Sequence, residues 1–589
     1  MLEHDTVIAY HERTKHDYGR LATSTPWLDW ATQPDPFRRY PGAPLFRLPL
    51  TGDARAVPYW KLFVTDRIRP LLLDLDSLAL FFRYALSLTA WKRAGGPAWS
   101  LRANPSSGNL HPTEGYAVLP PLVGLHDRPA VYHYVPKEHG LEQRCVIDDA
   151  AWAELVAAYP GLLFAVGLSS VQWRESWRYG ERGFRYCEQD AGHAFAAMRL
   201  GAAALGWRVT LLDVADRDTQ RFLGLDRDSD YDGAEREQPE LMALVTPTRM
   251  PAVAQAEPVL PRSLLDAPRD AWSGNANVLG PAHREWPIVD DVTRATRRGD
   301  ERLVSEDFRR FPSEKQLHRT LVRGGALTAA AVILGRRSAI QMDGATTISA
   351  PTFFRMMARL VPTRDGRAVP WDAVRWRPRV HVALFVHRVA GLRPGLYVLV
   401  RDPETVPRLR AALRPEFRWE RPAGCPAGLD LYLLVERDLR ALAALVSCAE
   451  NMAADGAFGV AMIADYLAGL AAHGPAFYRN LHWEAGMIGQ VLYLEAEEAG
   501  VRSTGLGCYF DDPVHEILGI TNRDWQDVYH FAVGGPVEAK GWMTLPAYGP
   551  LTAEQKEPRL EAQAIARWEN EGGPVGLPRA EHRREERSR

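Results

Sequence analysis

Residues 104–119 read Asn104-Pro105-Ser106-Ser107-Gly108-Asn109-Leu110-His111-Pro112-Thr113-Glu114, then Gly115-Tyr116-Ala117-Val118-Leu119. Two prolines and a glycine hold the first part open rather than helical. The small hydroxyl and amide side chains between them can lay donors and acceptors against a flat polar ring, with little bulk in the way. The apolar run after them predicts a buried strand. Upstream, helical periodicity starts near Leu75 (Leu78, Phe81, Phe82, Ala85, Leu86). Downstream, Val131–Tyr134 and Leu162–Leu168 predict further strands. A long Ala-rich helix is expected over roughly Glu188–Leu205, broken by Gly206-Trp207.

The bulk numbers bound the answer. A chain of 589 residues exceeds one ordinary core and predicts about two to four domains. Hydrophobic content of 46% and charged content of 24% are those of a globular protein, and a net charge of −2 proposes neither nucleic acid nor an anionic membrane as partner. Cys145, Cys187, Cys425, Cys448 and Cys508 show no metal-type spacing, so no metal is expected and a reducing compartment is. The polar opening Met1-Leu2-Glu3-His4-Asp5 predicts no signal peptide, and no apolar run approaches a membrane span. The expected location is therefore the cytoplasm.

Organisation follows composition. Tyr10-His11-Glu12-Arg13-Thr14-Lys15-His16 precedes a Pro- and Trp-rich extended segment to about Trp60. Residues 251–311 lose apolar periodicity and predict a linker that wraps the surface. Regular patterning returns over 312–548, and 549–589 predicts a charged, solvated tail. The blocks 1–250 and 312–548 share an ordered series of matches. Phe81-Phe82-Arg83 pairs with Phe353-Phe354-Arg355, Ala130-Val131-Tyr132 with Gly395-Leu396-Tyr397, and Asp190-Ala191-Gly192 with Glu484-Ala485-Gly486. Leu205-Gly206 falls on Ala499-Gly500, and Phe222-Leu223-Gly224-Leu225 on Ile517-Leu518-Gly519-Ile520. Their common order predicts a duplicated domain.

The run from Pro105 to Glu114 with its strand resembles the flavin-contacting loop of the nitroreductase superfamily, in the form of its SagB/ThcOx-type FMN-dependent dehydrogenases. The opening Tyr10–His16 is similar to the leader of that group. So is the segment Trp173-Arg174-Glu175-Ser176-Trp177-Arg178-Tyr179-Gly180-Glu181-Arg182-Gly183-Phe184-Arg185-Tyr186, leading to Asp190-Ala191-Gly192-His193. The resemblance implies an α+β fold: two tandem nitroreductase-like domains forming an intramolecular pseudo-dimer, with FMN held across the interface. The superfamily's phosphate-binding Arg-Arg-Ser matches Arg336, Arg337 and Ser338, where the first block has Val64-Thr65-Asp66. The ring-contacting loop is Pro105, Ser106, Ser107, Gly108 and Asn109, where the second block has Pro370-Trp371-Asp372-Ala373-Val374. The glycine turn expected near the flavin N5 edge is Gly505, Leu506 and Gly507, where the first block has Leu211-Leu212-Asp213. Lys540 is expected as a closing cation near the phosphate. Each block thus retains what its sibling lacks, which implies one composite FMN site.

The resemblance also implies a catalytic pair, here Arg178 and Tyr179. The group's lysine is replaced by Arg178, and a guanidinium is a poor general base. The expected function is an FMN-dependent dehydrogenase or oxidase acting on a peptide-derived or natural-product intermediate, with biosynthetic partner enzymes. The alternatives are an NAD(P)H-dependent nitro or quinone reductase, and a flavin-free subunit that binds a peptide or partner.

Overall fold

The computed structural model describes residues 3–549, apart from 26, 53, 65–67, 95–97, 249–259, 267–271, 282, 302, 304–305, 314–315, 318–325 and 366–367. The tail from residue 550, the first-block residues Thr65 and Asp66, and part of the 251–311 segment lie outside the described residues.

Two antiparallel sheets organise the chain. The strands are β1 (Leu45–Arg47), β2 (Leu88–Ala94), β3 (Ala98–Arg102), β4 (Thr113–Leu119), β5 (Ala130–Val135), β6 (Gly140–Val146), β7 (Phe164–Ser170), β8 (Trp207–Leu211) and β9 (Gln238–Pro247). They continue with β10 (Ile348–Ser349), β11 (Val380–Val386), β12 (Val389–Ala390), β13 (Gly395–Leu399), β14 (Leu431–Glu436), β15 (Phe458–Asp465), β16 (Arg502–Leu506), β17 (Trp525–Gly534) and β18 (Trp542–Pro546). The N-terminal sheet runs β1-β6-β5-β4-β7-β9-β8 and the C-terminal sheet β14-β13-β11-β15-β17-β16. Without the edge strand β1, the two orders are the same permutation of chain order. The central strands β4, β7, β11 and β15 are buried along their whole length and are mostly apolar on both faces, with polar residues such as Glu114, Ser170 and Asp465 at their ends.

Between the sheets lie two helices of 22 residues each, Gly183–Ala204 and Phe477–Glu498. Each ends before a glycine with φ near +70°, Gly206 (+73°) and Gly500 (+72°), where a side chain would be strained. Their contact is reciprocal. A Cβ on Gly192 would lie 2.2 Å from the Trp483 carbonyl oxygen, and one on Gly486 would lie 2.0 Å from that of Gln189. Gly192 and Gly486 hold the same position in their helices, as do Gln189 and Trp483. Two ion pairs repeat the exchange. Arg185 donates to Asp511 at 2.7 Å, and Arg479, at the same helical position, donates to Asp216 at 2.6 Å. Both carboxylates open the helix that follows β8 or β16.

Three features differ from the sequence expectation. Apolar periodicity is not lost through 251–311: helix Pro287–Ala295 buries Val289, Val292 and Ala295. Averaging over a Pro- and Arg-rich stretch hides one nine-residue amphipathic helix. The N-terminal Tyr10–His16 belongs to helix Glu3–Arg13 and the turn after it, and His11 is fully buried, bonded to Tyr478 and Gln526 at 3.0 Å each. Finally, β18 lies outside the C-terminal sheet and joins β2 and β3 in a three-stranded sheet, so the second block lends a strand to the first.

Candidate functional site

The loop at 104–112 is locked by its own polar groups. Gly108, Asn109 and His111 have φ of +61°, +52° and +52°, a left-handed run that asparagine tolerates better than most residues. The His111 N–H donates to Ser106 Oγ at 2.8 Å, and His111 Nε2 lies 2.9 Å from Asn109 Oδ1. Asn109 Nδ2 donates to the Ser100 carbonyl at 3.0 Å. The Ser107 N–H and hydroxyl both donate to Asp190 Oδ1, at 3.0 and 3.2 Å. Asp190 therefore pins the loop to the long helix Gly183–Ala204, and the amide of Asn109 shapes the loop itself.

Against this loop lies the start of the second block. Helix Ala329–Gly335 ends at Arg336. A cleft, partly open to solvent, is walled on one side by Pro105, Ser106 and Asn109 and on the other by Arg336, Arg337 and Ser338. Lys92, Arg102 and Arg502 complete a strongly cationic lining, offset by Glu538 alone among acidic lining residues. Arg336 is buried over the Tyr493 ring, 4.9 Å from its centroid, and donates through Nη2 to the Arg102 carbonyl at 2.8 Å. Its Nε and Nη1 are buried and make no hydrogen bond. Burial holds this guanidinium below its ordinary pKa. Arg337 comes down to about 10, first through burial and then through the charge of Arg336 beside it. A buried cation with two orphaned donors in a positive cleft fits a dianionic phosphate, because charge-assisted bonds would satisfy what the protein leaves open.

The glycine turn does not line the cleft, and it is tied to Ser338 at the cleft wall through Tyr493. Ser338 Oγ and Tyr493 OH are 2.9 Å apart, and Tyr493 OH accepts from the Gly505 N–H at 3.0 Å. A side chain at Gly505 would strike the Tyr529 hydroxyl at 2.1 Å. The Gly507 carbonyl accepts from Tyr186 OH at 2.5 Å, and Tyr186 packs on Tyr179 with centroids 4.4 Å apart. Tyr179 OH in turn lies 2.9 Å from where a Cβ of Gly108 would stand. Loop, tyrosine pair and glycine turn are thus in one contact chain. Leu506 itself points into the core of the C-terminal sheet.

The remaining candidates fall outside this lining. Lys540 is exposed, whereas Glu538, Ala539 and Trp542 from the same segment line the cleft. Arg178 places its guanidinium 5.9 Å from the Trp30 ring and 5.3 Å from that of Tyr179, behind the loop. His193 is buried between Gln490 and Tyr529, and burial pushes its pKa down to about 3, as befits a neutral interface residue. Sequence reading missed Lys92, Arg102 and Arg502. The first two sit on the hairpin β2–β3, an element with no match in the second block, which β18 and the hydrogen bonds of Arg336 and Arg337 to Arg102 and Thr89 hold at the cleft.

In the second block, at the positions aligned with the loop by sequence, Trp371 is buried and donates to the Arg359 carbonyl at 2.8 Å, while Asp372 takes Arg199 through both oxygens at 2.9 and 2.8 Å.

Two cysteines depart from the free-thiol expectation. Cys448 and Cys508, 60 apart in sequence, form a disulfide next to Gly507. Among the described residues no helix is long and apolar enough to cross a membrane, and no group of three or more His, Cys, Asp or Glu is placed to hold a metal.

The Nitroreductase family model matches residues 395–535. A putative nitroreductase of Methanocaldococcus jannaschii is 31% identical over 108 residues, which are 17% of this chain and 52% of that protein. The chain therefore spans about half the length of this relative. The crystal structure of a putative nitroreductase from Anabaena variabilis superposes with a TM-score of 0.64 at 21% identity, covering 90% of this chain and 99% of that one. The chain thus has a nitroreductase-like α+β fold, and it matches the Nitroreductase family model over residues 395–535.

Proposed function

We propose that this chain is an FMN-dependent oxidoreductase, with one cofactor held between two diverged nitroreductase-like domains of a single polypeptide. Domain one is residues 1–250 and domain two is residues 312–548, joined by 251–311. The reading is supported by the shared strand order, the reciprocal glycine contacts of the long helices and the exchanged Arg–Asp pairs. These are the self-complementary contacts of an isologous dimer. The observation that carries the cofactor is Arg336, whose two unpartnered buried donors share one cleft with the Ser106–Asn109 loop. Arg336 and Arg337 would hold the phosphate, Ser338 and Ser106 the ribityl chain, and Gly505–Gly507 the N5 edge. The cofactor, when bound, supplies two-electron hydride chemistry. Trp371 and the Asp372–Arg199 pair would be what the second, lost site became.

Of the two chemistries, reduction of a nitro compound or quinone at the expense of NAD(P)H has the better support. The family match points to it, and the azoline-dehydrogenase reading needs a base where Arg178 stands. An arginine there stays charged and binds rather than abstracts. In the test, the purified chain is denatured and the released FMN counted, and the holoprotein is then mixed anaerobically with NADH or NADPH. One FMN per chain, bleached by the nicotinamide and restored by a nitroarene or quinone, is expected. FMN that ignores both nicotinamides but bleaches with a thiazoline peptide would return the function to the dehydrogenase. A chain that neither carries nor takes up FMN would leave only a binding subunit.

A further inference from the structure

Gly507 is followed directly by Cys508, which is partly exposed, and its sulfur is bonded to Cys448. The disulfide therefore hangs on the turn that would face the redox-active edge of the flavin. The other cysteine sits on strained backbone. Cys448 and Ala449 have φ of +54° and +62°, conformations that non-glycine residues rarely adopt without something holding them. Beneath the pair runs a buried proton-carrying chain. Ser447 Oγ lies 2.9 Å from His530 Nδ1, and His530 Nε2 lies 2.7 Å from Asp527 Oδ2. Tyr509 stacks on His530 at 4.6 Å, so the neighbour of each cysteine touches the same imidazole. The cysteines not in this bond, Cys145, Cys187 and Cys425, are elsewhere, and burial raises their thiols.

We propose that Cys448 and Cys508 form a second redox centre, a disulfide that exchanges an electron pair with the flavin; this rests on the FMN site argued above. The S–S bond breaks as it takes two electrons and two protons to give two thiols. The electrons and one proton come from the reduced flavin and the second proton from solvent, with Ser447, His530 and Asp527 available to carry it. Re-formation of the bond releases the pair and two protons to a disulfide or quinone acceptor. Oxidised flavin and a disulfide together would take up four electrons per chain where flavin alone takes two.

The experiment uses the FMN-loaded full chain, oxygen-free, with the flavin photoreduced by a single electron pair per chain. Thiols are counted by alkylation and mass spectrometry of the denatured protein. The expected result is spontaneous recovery of the yellow absorbance, with alkylated cysteines rising from three to five, located at Cys448 and Cys508. In Cys448→Ser and Cys508→Ser, each first checked for full FMN content, the flavin stays bleached. Wild-type protein that carries FMN, stays bleached and keeps three thiols overturns the proposal while leaving the FMN site standing. So does wild-type protein with five thiols before any reduction. A chain that takes no FMN removes the cofactor reading itself, and the inference with it.

Discussion

Replacing Arg336 by methionine separates a cofactor site from a structural arginine, because only the first role predicts a selective loss of FMN binding. In the cofactor-free protein Arg336 contributes one hydrogen bond, to the Arg102 carbonyl, and one cation–π contact, over Tyr493. Losing these costs about 1.5–3 and about 0.5–2 kcal/mol respectively. Against that, Nε and Nη1 are buried without partners, and relieving each orphaned donor returns about 1–3 kcal/mol. The two sides overlap, so folding changes by no more than a few kcal/mol in either direction, and methionine fills similar volume along the Tyr493 ring. With FMN bound the loss is one-sided. Two charge-assisted bonds to the phosphate, at about 1.5–3 kcal/mol each, are lost, which is roughly two to four orders of magnitude in affinity. The assay pairs urea unfolding of the cofactor-free protein with an FMN titration followed by flavin fluorescence. Unfolding within a few kcal/mol of the parent protein together with at least a hundredfold weaker binding is expected. A variant that unfolds much earlier yet binds FMN as before would refute the reasoning, since Arg336 would then be holding Arg102 and nothing else.

Other outcomes follow from the same coordinates. Gly192→Ala and Gly486→Ala should each cost about 1–3 kcal/mol or more by thermal unfolding, since the added methyl stands near 2 Å from a backbone oxygen of the partner helix. Gly233→Ala, with open space around it but a φ of +69°, should cost less. Lys540→Ala should leave FMN affinity within about twofold, a surface charge being screened, whereas Lys92→Ala in the lining should weaken it by about tenfold at low salt. Glu450, beside the disulfide, has its carboxyl pushed up to about 8 by burial. The folded protein then holds one more proton than the unfolded chain between pH 4.5 and about 8, so stability falls with rising pH across that window. Glu450→Gln should therefore raise the melting temperature more at pH 8.5 than at pH 5.5; an equal shift at both would refute the buried-carboxyl account.

The reading of the sequence went furthest where chemistry is local. The strand after the loop, the helix from Leu75 and the long helix of the first block announce themselves through periodicity and apolar runs, and the structure has them at Thr113–Leu119, Leu75–Ala85 and Gly183–Ala204. Glycines at helix ends, Gly206 and Gly500, carry the repeat because only a residue without Cβ suits that φ. The helix Pro287–Ala295 was legible in principle, as Val289, Val292 and Ala295 at three-residue steps, but it is short and its neighbours are polar.

What the residues alone determined is which types are present and in what order: an Arg-Arg-Ser in one block, a Ser-Ser-Gly-Asn in the other. That these lie across one cleft was decided by the packing of two buried helices and by nothing adjacent in the chain. The same holds for β18 on the β2–β3 hairpin, which adds Lys92 and Arg102, and for Cys448 beside Cys508, 60 residues apart. Side-chain periodicity reports which face of an element is buried, but not which partner buries it. Partners far along the chain meet only once the entropy of closing the intervening loop is overcome by burial of the whole interface. Lys540 shows the limit from the other side: correct in charge and near in sequence, it faces water, because the turn before β18 directs Glu538 and Trp542 to the cleft instead.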